Sequence, residues 1–100
     1  MNQLERIEHF EKIFDETSAA VENLSNALEK YSSIQEKYFE LMSYYGGKWR
    51  QDYEDDDAGK IPKDLKRGVL SQDGIYNLLE KNRELQIKIL EIFADILRKG

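Results

Sequence analysis

The chain has 100 residues with one proline, one histidine and no cysteine, and its net charge is −5. That length gives one domain with an economical core, and the lack of cysteine excludes disulfides, thiolate metal sites, iron–sulfur clusters and cysteine nucleophiles. The acidic balance, with a pI of about 4.9, disfavours a broad basic face for nucleic acid.

The charged opening from Met1 to Arg6 has no apolar signal-peptide core. No run of about 18 apolar residues exists to cross a membrane. A chain without disulfides fits a reducing cytoplasm.

Residues 3–45 read as one long helix. Sevens counted from Ile7 give Phe14, Val21, Leu28, Gln35 and Met42; sevens from Phe10 give Thr17, Leu24, Tyr31, Tyr38 and Tyr45. Ile13, Ala20, Ala27, Ile34 and Leu41 run alongside, so the stripe is wider than a bare coiled-coil seam and suits a small bundle. Neither Pro nor Gly interrupts it. Thr17 and Ser18 are weak helix formers and mark where a bend would fall. Gly46-Gly47 predicts the stop after Tyr45. All the excess negative charge lies here, with 9 acidic against 4 basic side chains in residues 1–45.

Residues 46–70 form a connector. Trp49 and Tyr53, four apart, predict a short helix of about ten residues with both rings on one face. Asp55-Asp56-Asp57-Ala58-Gly59 breaks it, and Pro62 pushes Ile61 towards an extended conformation. Leu65, Val69 and Leu70 read as anchors. A second helix is predicted over 72–98, with Ser71 as its N-cap and Asp73 against the positive end of its dipole. Its stripe is Ile75, Leu78, Leu79, Leu85, Ile89, Ile92, Phe93 and Ile96. Asn82 on that stripe reads either as fixing register or as hydrogen-bonding the connector backbone.

The pattern predicts an all-α single domain, the long first helix antiparallel to the shorter second one. The two differ in length, roughly 65 Å against roughly 40 Å at 1.5 Å per residue. The opening turns, with Leu4, Ile7, Phe10, Ile13 and Phe14, then need cover from a fold-back, a second copy or another protein.

Several side-chain groups could carry chemistry. Asp52, Glu54, Asp55, Asp56 and Asp57 are oxygen-rich, as hard cations require, but the glycine and closing glutamate of an EF-hand loop are out of place. Lys60, Lys63, Lys66 and Arg67 could grip a phosphate or an acidic partner, or pair with the acids upstream. His9 has no second histidine to join it and reads as a surface residue. The dense set Tyr31, Tyr38, Phe39, Tyr44, Tyr45, Trp49 and Tyr53 suits either packing of the connector or a partner surface. No P-loop, dinucleotide glycine motif, HExxH or GxSxG is present.

Tyr44-Tyr45-Gly46, Trp49, Asp52-Tyr53-Glu54, Asp57-Ala58-Gly59-Lys60, Pro62, Asp64 through Ser71, Asp73 and Tyr76-Asn77-Leu78-Leu79 resemble a family of short bacterial proteins of unknown function, mostly from Gram-positive species. The resemblance covers nearly the whole chain, implies a small helical cytoplasmic protein, and brings no catalytic residues. A second resemblance is to secreted helical hairpins named for a Trp-x-Gly turn. Here the glycines precede the tryptophan, and Tyr76 to Glu80 matches the export pattern at the start of the second helix rather than past its end.

The sequence therefore reads as a non-enzymatic protein-binding module without a cofactor, a homo-oligomer or the partner of another protein. Contacts are expected through Trp49, Tyr53, Tyr45, Ile7, Phe10 and Phe14. Neither nucleic acid nor membrane is expected as a partner. The alternative is a small metal- or ligand-binding protein, or an enzyme, that uses the acidic connector with Lys66 and Arg67.

Overall fold

The computed structural model describes residues 1–100 and contains only helices. These are α1 (Gln3–Ser33), α2 (Gln35–Tyr45), α3 (Trp49–Asp57), a 3-10 turn (Gly68–Leu70) and α4 (Gly74–Lys99). A long N-terminal helix, a connector holding a short helix and a C-terminal helix agree with the sequence pattern. The chain divides into two compact units, Met1–Leu41 and Met42–Gly100.

In the first unit, the Asn2 side chain accepts the Glu5 N–H at 2.8 Å and caps α1, satisfying an amide with no partner inside the helix. The helix runs without a break through Thr17-Ser18. Two weak formers each cost only about half a kcal/mol, too little to interrupt a helix that neighbouring turns continue.

The interruption falls instead at Ile34. Ser33 Oγ donates to the Lys30 carbonyl at 2.8 Å, and the Gln35 side-chain amide donates to the Tyr31 carbonyl at 2.9 Å. In a continuous helix that Tyr31 carbonyl would meet the Gln35 main-chain N–H, so a side chain takes the ladder's place for one residue. α2 resumes at once, with the Tyr38 N–H on the Ile34 carbonyl at 2.9 Å. The helix predicted over 3–45 is therefore two helices in series. Every residue from Met1 to Ile34 is exposed, the apolar stripe included.

The second unit is built around a small core of Trp49, Leu70 and Ile75. α2 ends at Tyr45 as its glycines predict, through Gly46 N–H on the Met42 carbonyl and Gly47 N–H on the Tyr44 carbonyl, both at 3.0 Å. Neither glycine takes a positive φ; Gly59 alone does, at 77°. Gly59 N–H bonds the Asp56 carbonyl at 3.0 Å and Lys60 N–H the Asp55 carbonyl at 2.9 Å. This paired arrangement around a left-handed residue is the Schellman stop. The three aspartates 55–57 are thus the last turn of α3, and Gly59 makes the break.

Ser71 Oγ accepts the Gly74 N–H at 3.0 Å, but Asp73 rather than Ser71 is the N-cap of α4, and it makes no side-chain cap bond. α4 begins at Gly74 rather than residue 72, because Gly68–Leu70 coils against its first turn. A Cβ on Gly74 would stand 2.3 Å from Ser71 Oγ and 2.9 Å from the Gly68 carbonyl oxygen, whereas one on Gly68 meets nothing within 4 Å. Gly74→Ala is expected to destabilise the second unit by about 2 kcal/mol through overpacking, and Gly68→Ala by less than about 0.5 kcal/mol. Urea unfolding followed by far-ultraviolet circular dichroism compares the two.

Candidate functional site

The connector residues form one cluster within the second unit. Trp49, at the start of α3, is 8% exposed. The Tyr45 ring meets it edge-on with centroids 5.0 Å apart, and Tyr53 stacks on it at 5.1 Å and 19°. The spacing of four residues on either side of Trp49 puts all three rings together, Tyr45 across the Gly46-Gly47 corner and Tyr53 one turn along α3. The indole N–H donates to the Val69 carbonyl at 2.8 Å. That bond holds the 3-10 turn beneath α3 and satisfies the one polar group that burial of a tryptophan brings with it.

Of the anchors expected in the connector, Leu70 is buried, Val69 contributes mainly its carbonyl, and Leu65 is exposed. The core is completed by Ile75, 3% exposed on the first turn of α4.

Electrostatics fix the rest. Negative side chains in the last turn of a helix oppose its dipole, and α3 carries no basic residue there. Downstream cations compensate. The Arg67 guanidinium pairs with the Asp56 carboxylate and donates to the Pro62 carbonyl, closing the loop between them. Lys60 Nζ lies 3.9 Å from Asp55, which also accepts from the Gln51 amide at 3.0 Å. Arg50 faces Glu54 at 3.7 Å. These contacts match pairing of the basic run with the acidic one, though Lys63 and Lys66 are exposed. No three acidic or histidine side chains converge to hold a metal ion.

Tyr44 Oη donates to the Asp52 carboxylate at 2.7 Å. Burial pushes the phenol up, and the hydrogen bond to Asp52 and its charge add to this, to about 12 from the usual 10.0. This pair joins the end of α2 to α3, and nothing in the hydrophobic pattern signals it.

The remaining predicted contact residues lie on α1. Ile7, Phe10 and Phe14 are exposed and, with Arg6 and Glu11, line a shallow furrow on that one helix. His9 is exposed too, its ring edge-on to Phe10 at 5.0 Å. Trp49 is therefore inside the connector, Tyr45 and Tyr53 are half-buried against it, and the α1 residues are at the surface.

The model of a family described as a domain of unknown function (DUF4298) matches residues 7–92, and the chain belongs to that family. Neither a curated protein nor a solved structure matches it.

The raised Tyr44 pKa has a consequence for stability. The folded state favours the protonated phenol, so its contribution is fully present below the ordinary pKa of 10.0 and is lost as pH rises through about 12. Wild type is expected to exceed Tyr44→Phe in denaturant midpoint at pH 9, with the gap closing as pH rises from 10 to 12. A gap independent of pH would contradict this.

Proposed function

We propose that this member of the DUF4298 family is a non-enzymatic protein–protein interaction module, with the connector as its folded anchor and the apolar face of α1 as its docking surface. The observation that carries the reading is the bare stripe itself. Ile7, Phe10, Phe14, Val21, Leu24 and Leu28 recur on one side of a 31-residue helix and all are exposed. Contiguous apolar surface of that extent marks an interaction site, and an amphipathic helix presents it in the manner of a coiled coil or bundle.

The partner is a helix of another protein, flanked by basic residues. The 9 acidic and 4 basic side chains of residues 1–45 repel a second acidic helix and favour a basic one. Trp49, Tyr53 and Tyr45 support docking indirectly, by holding the connector together. The chain also self-associates as a dimer, and its want of cysteine suits work in the reducing cytoplasm.

The test uses two synthetic amphipathic helices with the same leucine seam, one flanked by lysine and one by glutamate, titrated calorimetrically into the full chain. The lysine-flanked helix is expected to bind, more weakly as salt is raised. The double variant Ile7→Glu/Phe10→Glu is expected to weaken it about 100-fold. Equal binding of both helices, or binding indifferent to the substitutions, would overturn the reading.

A further inference from the structure

α4 carries a second apolar seam, which the docking role of α1 leaves unassigned. Two lines of residues repeat every seven, Ile75, Asn82, Ile89 and Ile96 on one and Leu78, Leu85 and Ile92 on the other. The connector covers Ile75. Beyond it Leu78, Leu85, Ile89, Ile92 and Ile96 are exposed, whereas Leu79, Asn82 and Phe93 are half-buried. Apolar residues on two such lines are the pattern by which two helices interlock. Leu79 and Phe93 flank the seam on one side, and Lys81, Lys88 and Asp95 on the other.

Charge points to a second copy as the occupant. Residues 71–100 carry 5 acidic and 5 basic side chains, so two such helices meet without net repulsion, unlike two copies of α1.

We propose that α4 pairs antiparallel with α4 of a second copy, with residue 87 at the two-fold axis. In that register Ile89 meets Leu85 of the second copy and Ile96 meets its Leu78. Leu79 meets Phe93, extending the seam, and Lys81 meets Asp95 with opposite charge. The two-fold makes each of these contacts twice. Lys88 faces its own counterpart, the one like-charge contact, and Asn82 lies opposite Ile92 of the second copy. A parallel pair would instead set Lys88 beside Phe93 and Lys81 beside Gln86, with no ion pair. The proposal rests on the reading that this chain acts through protein contacts, but on a different face from α1.

The chain has no cysteine of its own, so introduced thiols report cleanly. Leu85→Cys and Ile89→Cys full-length variants are oxidised separately and after mixing. Disulfide-linked dimer is expected from the mixture and little from either variant alone. Linking of Leu85→Cys with itself as readily as in the mixture, or no linking at all, overturns the proposal.

Sedimentation equilibrium supplies the second readout. Wild type is expected to dimerise and Leu85→Glu to raise the dissociation constant about 1,000-fold, since symmetry sets two carboxylates on the seam. Ile7→Glu is expected to leave that constant unchanged. A monomer at every concentration, or a dimer lost in Ile7→Glu and kept in Leu85→Glu, defeats the α4 pairing. Peptide binding on α1 is read independently by calorimetry.

Discussion

Burial of Trp49 is the contact on which the second unit depends. One indole, flanked by Tyr45 and Tyr53, fills the space between α3, the 3-10 turn and the start of α4. Its N–H on the Val69 carbonyl ties together segments 20 residues apart in sequence. Only Leu70 and Ile75 join it as buried side chains. Arg67 then closes the loop by offsetting the carboxylate at the negative end of α3. Tyr44 and Asp52 set the corner between α2 and α3.

So small an interior has a consequence for the long helices. A helix gains most of its stability from packing its apolar face, and its intrinsic propensity is a weak supplement. Along α1 that face is exposed throughout, and along α4 it is exposed at Leu78, Leu85, Ile89, Ile92 and Ile96 but half-buried at Leu79 and Phe93. Good capping at Asn2 and the basic last turn of α4 at Arg98 and Lys99 favour helix formation locally, by about a kcal/mol or less each. They do nothing for the apolar surface left in water. On our reading, two faces with different charge have two different occupants: a basic-flanked helix on acidic α1, and a second copy on balanced α4.

Much of this architecture is legible in the residues. The period-seven stripes mark the helices, Gly46-Gly47 marks the corner, and the spacing of Trp49 and Tyr53 marks the short helix and its aromatic face. Three features are not. The break at Ile34 comes from Ser33 and Gln35 bonding to carbonyls three and four residues back, a competition that periodicity does not register. Charge runs do not say which cation pairs with which acid. Lys60 and Arg67 turn to α3 while Lys63 and Lys66 face solvent, because Gly59 and Pro62 set where the returning chain passes. Finally, an aromatic at a connector has the same composition signature whether it packs inward or binds a partner. Only its burial separates the two, and it placed Trp49 inside while Ile7, Phe10 and Phe14 stayed at the surface.

Amide hydrogen exchange, followed across a dilution series of the full chain and again with a basic-flanked helix added, tests the central claim most directly. The account predicts constant protection of Trp49–Asp57 and of the first turn of α4 throughout. Protection of α4 beyond Asn82 should rise with protein concentration, and that of α1 only when the basic helix is present. Strong protection along α1 and α4 that ignores both concentration and added helix would contradict it, because those faces would then need no partner.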